Sequence, residues 1–414
     1  METDTSGLRS GVKLPAGMTG SVVRLAIAQA LAGANSTVIY ATGAVIGSVL
    51  APRQALATLP ISVFVVGMAA FPLPMGVVAH RYGRRMAFLI GTINGVAVGV
   101  LAAIAMLASS FWLFCVAMFF GGAYAAVVLS FRFAAVDCVR PENRARAMSF
   151  VMAGGILAAV IGTQLVSLTM NLWPLHAFAA TFVAQAAVAV VAGAVLSAVR
   201  ISTPVPTDAD ASGGRSMLTI SRQPAFVLAV LCAVVSYVLM NFLMTAAPLA
   251  MRLCGLSQSS ANLGIQWHVI AMYAPSFFTG RLIARVGAPR VALSGLLLTG
   301  LAAAAGLAGD STAHFWVALV LLGLGWNHGF VGASALVLEC HTPQEKARVQ
   351  AFNDFIVFGV MAIGSFLSGS LLAAHGWAVI LRLSLFPVSV ATIGLAFATL
   401  IRDQEHADPP SSVS

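Results

Sequence analysis

The side chains best suited to bind a ligand are amides, hydroxyls, imidazoles and indoles that fall near the middle of long apolar runs. No carboxylate or lysine lies at comparable depth, and Arg132 and Arg382 lie close to the ends of their runs. Hydrogen bonding and aromatic stacking therefore have candidates, whereas acid–base chemistry by paired carboxylates has none. Such an array suits a neutral or weakly charged polar aromatic solute. The candidate substrate-binding residues are Asn35, Thr37, Tyr124, Tyr237, Asn241, Gln266, Trp267, His268, Trp326, Asn327 and His328.

Each of these polar groups has a second interpretation. An amide in an apolar environment costs free energy unless it is hydrogen-bonded, so each one fits an interhelical hydrogen bond as well as a ligand contact. Ligand contact is favoured for Asn327 and His328, at the centre of one run. His268 is a weaker candidate, because Pro275 interrupts its run nearby and the imidazole could bond to the carbonyls freed there.

Other kinds of site have little support in the sequence. The 5 cysteines form no CxxC pair and fall mostly inside apolar runs, which is typical of buried thiols rather than of a metal or redox site. There is no HExxH or GxSxG motif, and two mid-run histidines are too few for a pair of haems. We therefore expect no catalytic residues, no metal and no cofactor, and an intramembrane enzyme is disfavoured.

The composition places the chain in a membrane. Among 414 residues, 59% are hydrophobic and only 8% are charged, with a mean hydropathy of +0.94. A soluble domain carries about 25% charged residues, so this chain cannot cover a water-facing surface. The net charge of +9 has no basic face or aromatic platform that would bind nucleic acid. The lipid bilayer is the expected environment.

The apolar runs divide the chain into two equal sets. Since a bilayer core needs about 20 apolar residues per helix, twelve transmembrane helices are predicted, six on each side of a polar linker. The predicted segments are a cytoplasmic N-terminal tail at 1–23, a six-helix bundle at 24–199, a cytoplasmic linker at 200–225, a second six-helix bundle at 226–401 and a cytoplasmic tail at 402–414.

The placement of basic residues predicts the orientation. All but Arg53, Arg252 and Arg382 of the 22 Lys and Arg residues fall on the side of the termini. Because cytoplasmic loops carry an excess of Lys and Arg, both termini are expected in the cytoplasm of a multi-pass protein of the inner membrane.

The two halves repeat each other. Gly76 to Arg85, between the second and third spans, shares its G-x4-R-x-G frame with Gly280 to Arg290 in the second half. Asp137, at the end of the fourth span, is matched by Glu339 at nearly the same offset. Two independent motifs at nearly one offset indicate a duplicated six-helix unit.

These features resemble the major facilitator superfamily, whose loop motif G-x-x-x-D-R-x-G-R-R is similar to Gly76–Arg85. The resemblance implies an all-α membrane protein with two pseudo-symmetric six-helix bundles, transporting a small molecule by alternating access as a monomer. The motif aspartate is replaced by His80, and the arginine expected near Ala117 is missing, which disfavours ordinary proton coupling. The segments around Gln266–Gly280, Gly325–Asn327 and Phe352–Phe355 are similar to a bacterial subgroup that includes riboflavin importers.

The charges at the predicted inner ends of the helices suggest a cytoplasmic gate. A carboxylate near a helix C-terminus needs a basic partner, so Arg81 or Arg84 is predicted to pair with Asp137, and Arg285 with Glu339. Asp354 lies near the start of the eleventh span, where His80 could reach it; a solvated histidine explains His80 equally well. The gate set is Gly76, His80, Arg81, Gly83, Arg84, Arg85, Asp137, Arg285, Glu339 and Asp354.

Three functions fit this pattern. The first is a secondary transporter of a small neutral or weakly charged polar aromatic solute such as riboflavin. The second is a multidrug exporter, which the missing Gly-Pro pair after Gly154 and the lack of a buried acid disfavour. The third is a non-transporting membrane sensor on the same fold, which would have a sealed apolar cavity. The direction of transport and the coupling ion stay open.

Overall fold

The described part of the first half consists mainly of helices joined by short turns. The computed structural model describes residues 19–140, 143–200, 215–342 and 345–407. The first-half segments are α1 (Gly20–Leu50), α2 (Leu59–Ala70), α3 (Pro72–Tyr82), α4 (Arg84–Leu107), α5 (Phe111–Leu129), α6 (Phe131–Val136), α7 (Arg144–Thr169) and α8 (Ala179–Ser197).

The second half repeats this arrangement after a short helix. Its segments are α9 (Met217–Ser221), α10 (Pro224–Leu253), α11 (Gln258–Tyr273), α12 (Ser276–Val286), α13 (Ala288–Leu307), α14 (Thr312–Glu339) and α15 (Lys346–Ala407). Gly376 breaks α15 into two arms, because its φ of 74° and ψ of 178° are not helical. We call α1–α8 the N-terminal bundle and α10–α15 the C-terminal bundle.

The helices match the predicted membrane spans. Ten stretches of the described residues are long and apolar enough to cross a bilayer, and the stretch Phe352–Ile401 contains the break at Gly376. The pair α11–α12, broken at Pro275, includes the eighth span predicted from the sequence, at about 264–284, but is not among the ten. The all-α, two-bundle fold is confirmed, while the number of twelve spans stays a prediction.

Local chemistry sets where the helices begin and turn. The hydroxyls of Ser110 and Ser257 accept hydrogen bonds from backbone N–H groups in the first turns of α5 and α11. Gly83 and Gly287 separate α3 from α4 and α12 from α13, with φ of 84° and 88°. A side chain is strained at such positive φ, and the two glycines hold the same place in each half of the sequence repeat.

Small residues bring the helices into close contact. A Cβ added at Gly122 would lie 1.9 Å from the carbonyl oxygen of Phe64, so α5 touches the backbone of α2. In the C-terminal bundle a Cβ at Gly295 would lie 2.0 Å from the backbone nitrogen of Gly329. Glycine at these positions allows the backbones to approach, as is common between helices in lipid. The two bundles then meet where α1, α2 and α7 contact α10, α11 and α15.

Candidate functional site

A cavity lies between the two bundles. It measures about 710 Å³, counting the open space at its mouth. The N-terminal bundle lines it with α1, α2, α5 and α7, and the C-terminal bundle lines it with α10 and α11. None of the described residues that line it is an Asp, Glu, Lys or Arg. The described lining therefore carries no fixed charge of its own.

Most of the polar side chains in the lining come from one helix. Gln29, Ser36, Thr37 and Tyr40 all belong to α1 and line the cavity together with Gly33. Spacings of three, four and seven residues place side chains on one face of a helix. We call this face the polar wall. It presents an amide, two aliphatic hydroxyls and a phenol to the cavity.

The opposite wall is made of sulfur and aromatic groups. Tyr237, Met240 and Met244 contribute from α10, and Met272 and Tyr273 from α11. We call these five side chains the methionine–tyrosine wall. Methionine is flexible and makes favourable contacts with aromatic rings, so the wall suits a flat ring system.

A cluster of rings behind this wall holds Tyr237 in place. Its ring lies edge-on to Trp326, Phe330 and Phe358, with centroid distances of 5.6, 4.9 and 5.5 Å. Trp326 also stacks on Phe330 at 5.5 Å. Such edge-to-face pairs add stability beyond the area that they bury. Tyr237 is thus a fixed surface, with flexible methionines beside it.

Two of the predicted binding residues line the cavity, and two lie where the bundles meet. Thr37 and Tyr237 are in the lining. Asn241 accepts a hydrogen bond from the Tyr40 hydroxyl at 2.7 Å. The Gln266 carbonyl oxygen accepts hydrogen bonds from Thr163 at 2.7 Å and Gln164 at 3.1 Å.

Two of the other predicted residues lie inside the N-terminal bundle, Asn35 by hydrogen bonding and Tyr124 by packing. Asn35 donates to the Gly121 carbonyl at 3.2 Å and accepts from Gln185. Tyr124 is buried against α4, where it would meet a Cβ added at Gly95. These side chains join helices of one bundle, and neither Asn35 nor Tyr124 is part of the described cavity lining.

The predicted residues of α11 and α14 also lie outside the described lining, in three different settings. The ring Nδ1 of His268 lies 2.7 Å from the Leu319 carbonyl oxygen, and that of His328 lies 3.2 Å from the Ser294 hydroxyl. Trp267 is 47% exposed. Trp326 belongs to the ring cluster behind Tyr237, and Asn327 bonds to the broken helix α11–α12.

The predicted cytoplasmic gate contains one ion pair of the expected kind. Arg84 Nη2 lies 2.8 Å from Asp137 Oδ2, so Arg84 rather than Arg81 is the partner. Arg81, Arg85 and Arg285 are exposed. Because both side chains of the pair are partly exposed, it contributes about 0–1 kcal/mol to stability.

The rest of the gate stays a prediction. Glu339 is exposed and Asp354 accepts a hydrogen bond from the Asn353 amide at 3.1 Å. The side chain of His80 lies outside the part of the chain that the structure describes, so its contact with Asp354 is untested. Gly76 lies within α3, and Gly83 ends that helix.

A second ion pair was not foreseen from the sequence. Arg215, just before α9, donates from Nε and Nη2 to the two carboxylate oxygens of Glu345, at 3.0 and 2.8 Å. The backbone N–H groups of Arg215 and Thr342 also donate to this carboxylate, at 2.7 and 3.0 Å. Arg215 Nη2 further donates to the Cys340 carbonyl at 3.0 Å. We call this arrangement the linker clamp.

The linker clamp fixes the ionisation of Glu345. The side-chain hydrogen bonds from Arg215, followed by the backbone donors Thr342 and Arg215, hold the pKa of the Glu345 carboxyl well below its usual range. The same hydrogen bonding raises the pKa of Arg215. The Thr342-x-x-Glu345 spacing just before α15 matches a helix-capping pattern, which is the sequence signal that could have located half of the clamp.

One side of the cavity is closed by hydrogen bonds between the bundles. Besides the Tyr40–Asn241 and Gln266 contacts, Gln258 donates to the Ala41 carbonyl at 3.1 Å. Ser62 donates to the Ser365 hydroxyl at 3.3 Å. These contacts lie where α1 and α7 end and where α2 and α11 begin, which we call the closed side. The cavity lining extends from there towards Gln29, in the first half of α1.

Replacing Tyr40 by Phe is expected to loosen the closed side. The change removes one hydrogen bond between the bundles, worth about 1 kcal/mol, so the closed side should open about fivefold more often. The measurement is the labelling rate of a cysteine placed at the buried Ser365 in a background without the five native cysteines. Thr42→Val is the control, because the Thr42 hydroxyl bonds only within α1. Equal labelling in both variants would contradict the assignment.

Comparison with known proteins places this architecture in one family. The sequence model of the Major Facilitator Superfamily matches residues 25–273 and 229–413. The chain belongs to this superfamily. It is therefore a multi-pass membrane protein and a secondary transporter of a small molecule, not an enzyme.

Individual relatives cover nearly the whole chain. The chain is similar to riboflavin transporter RfnT of Brucella anthropi, with 45% identity over 89% of this chain and 92% of the relative. It is 30% identical to the uncharacterized MFS-type transporter YdeG of Bacillus subtilis, over 95% of this chain and 97% of the relative. In fold it resembles a bacterial homologue of the human lysosomal transporter Spinster, crystallised inward-facing and unoccupied. The two structures have a TM-score of 0.66 and 16% sequence identity, and the comparison covers 95% of this chain and 98% of the other.

Proposed function

We propose that this transporter carries a neutral or weakly charged polar aromatic solute, with riboflavin as the substrate to test first. The observation that carries the proposal is the uncharged cavity, with hydroxyl and amide groups on one wall and methionine and tyrosine on the other. The relative from Brucella anthropi, named as a riboflavin transporter, supports the same substrate class. A phosphorylated or dicarboxylate solute would find no positive charge in the described lining.

The proposal extends to topology. With both termini in the cytoplasm of the inner membrane, as the arginine distribution predicts, the closed side faces outwards and the cavity opens inwards. Alternating access would then require the contacts of the closed side to break as the opposite ends of the bundles approach. The linker clamp lies on the cytoplasmic side in this orientation. The transporter is proposed to act as a monomer with no nucleic-acid partner.

Riboflavin is expected to raise the melting temperature of the detergent-purified protein. A ligand that binds only the folded state stabilises it by RT ln(1 + [L]/Kd), about 2.7 kcal/mol at a hundredfold excess over Kd. The measurement is a thermal melt at increasing riboflavin, beside glucose and an amino acid as controls. A melting temperature that does not respond to riboflavin would refute the proposed substrate.

A multidrug exporter is the second candidate, and one observation favours it. Methionine side chains re-pack around different ligands, and Met68, Met240, Met244 and Met272 all line the cavity. An exporter of this kind would be stabilised by many unrelated dyes. Thermal shifts with ethidium and rhodamine as large as that with riboflavin would favour the exporter.

A further inference from the structure

We infer that the two walls divide the ligand between them: the flat ring lies against the methionine–tyrosine wall and a hydroxylated chain lies along the polar wall of α1. This inference rests on the proposed function and adds to it how the site recognises its substrate. The predicted substrate class is a flat heteroaromatic ring that carries a flexible polyhydroxyl chain. Riboflavin has this architecture, with a tricyclic ring and a ribityl chain.

The polar wall has unused hydrogen-bonding capacity. Among the described residues, the side chains of Gln29, Ser36 and Thr37 have no hydrogen-bond partner. Their polar atoms remain accessible to solvent. Thr42, on the same helix, bonds to the Val38 carbonyl at 2.8 Å. A hydroxyl or an amide in a membrane protein ordinarily finds a partner. Three unpaired polar groups on one face of α1 are therefore available to a ligand that brings hydroxyls.

The facing wall has fewer strong hydrogen-bonding groups than the polar wall. Met240, Met244 and Met272 carry only weak acceptors, and Val269 beside them carries none. Sulfur and ring faces instead favour contact with an aromatic surface. Tyr237 supplies a fixed face, because three rings pack against it. The phenol hydroxyls of Tyr237 and Tyr273 are the only strong hydrogen-bonding groups of this wall, so a polyhydroxyl chain finds fewer partners here than on the polar wall, and the ring is the part that fits better.

The two walls belong to different bundles. The polar wall is on α1, and the methionine–tyrosine wall is on α10 and α11. A ligand that contacts both therefore bridges the N-terminal and C-terminal bundles. A ring without the chain engages mainly one bundle and is expected to bind more weakly than the complete molecule.

The test compares riboflavin with lumiflavin, which has the same ring and a methyl group in place of the ribityl chain. Quenching of flavin fluorescence gives Kd for both ligands with the full-length protein in detergent. The double variant Ser36→Ala/Thr37→Val should weaken riboflavin about tenfold, as expected for two lost hydrogen bonds, and should change lumiflavin less than twofold. Met240→Ala should weaken both ligands by the same factor.

Matched controls separate recognition from folding. Thr42→Val removes a hydroxyl from α1 outside the cavity, and Met118→Ala truncates a buried methionine of α5 that does not line it. Both should retain wild-type affinity for both ligands, and melting temperatures without ligand report on folding. If the double variant weakens lumiflavin as much as riboflavin, the division of the ligand is wrong although the substrate stands. If wild-type protein binds neither flavin, the proposed function itself fails.

Discussion

Replacing Asn327 by Ala is expected to destabilise the protein by about 3 kcal/mol and to leave the riboflavin affinity of the folded fraction unchanged. Asn327 makes three hydrogen bonds in the C-terminal bundle. Its Oδ1 accepts from Thr279 at 2.7 Å, and its Nδ2 donates to the Met272 carbonyl at 2.7 Å and to the Ser276 hydroxyl at 2.9 Å. Each buried polar group left without its partner costs about 1–3 kcal/mol.

The destabilisation is expected to be large because of where these partners lie. Pro275 has no N–H and interrupts the helix between α11 and α12, so carbonyls near it lack their usual donors. The amide of Asn327 bonds to residues on both sides of the break, at Met272 and at Ser276 and Thr279. Asn327 therefore holds the two segments of the broken helix together and does not reach the described cavity lining.

The measurement is the melting temperature of detergent-purified protein, with flavin affinity measured below the transition. Asn94→Ala is the matched control, since the buried Asn94 amide donates to the Ile90 carbonyl of its own helix, at 2.9 Å. It should lower the melting temperature less. An Asn327→Ala protein that melts like wild type but has lost riboflavin binding would show that Asn327 contacts the ligand.

The sequence predicts the depth of polar residues better than the direction in which they point. Consecutive residues on a helix are separated by about 100°, so neighbours in one motif face different surroundings. In Gln266-Trp267-His268, the first side chain bonds to α7, the second is exposed and the third bonds to α14. All three were predicted together as binding residues because hydropathy reports depth alone.

Helix α1 shows the same difficulty within a few residues. Asn35 and Thr37 are two positions apart, which is about 200° around a helix, so both cannot face one cavity. Asn35 bonds to Gln185 and to Gly121 inside its bundle, while Thr37 and its neighbour Ser36 line the cavity. Most faces of α1 are apolar, because lipid and neighbouring helices both accept apolar side chains. Its hydropathy pattern therefore does not show which face lines the cavity and which faces pack against other helices.

Features that repeat in the sequence were predicted more reliably. The G-x4-R-x-G frame appears in both halves, and its glycines Gly83 and Gly287 have nearly the same backbone angles, with ψ of 155° and 151°. The all-helical fold was also predictable from the long apolar runs. In lipid the backbone N–H and C=O groups must bond to each other, and a helix satisfies all of them within one segment. The linker clamp has no such repeat. Arg215 and Glu345 are 130 residues apart, and only the folded chain brings them together.

Replacing Glu345 by Gln is expected to lower the melting temperature at neutral pH, more than any change to the Arg84–Asp137 pair. The Glu345 side chain is 1% exposed and its carboxylate accepts four hydrogen bonds, whereas the side chains of Arg84 and Asp137 are 26% and 32% exposed. Hydrogen bonds to a buried charge are stronger than those of an exposed ion pair. Asp137→Asn, with the same change of group, is the matched control.

The pH dependence follows from the depressed pKa of the Glu345 carboxyl. A carboxyl with a folded-state pKa below its unfolded value of about 4.3 stabilises the fold fully above about pH 5. That contribution is lost as the pH falls towards the folded-state pKa. The difference in melting temperature between wild type and Glu345→Gln should therefore be constant from pH 8 to pH 5 and shrink only in stronger acid.

A double-mutant cycle tests whether Arg215 and Glu345 act together. Arg215→Gln should lower the melting temperature as Glu345→Gln does, and the double variant should lose little more than either single variant, because both disrupt the two side-chain hydrogen bonds that join Arg215 to Glu345. Strict additivity would show that the two residues stabilise the protein independently. The clamp ties Arg215, close to the start of α9, to Glu345, at the start of α15. The Glu345→Gln variant, which keeps Arg215, should therefore be cleaved faster by trypsin at Arg215, with Arg222, after α9, as the internal reference site.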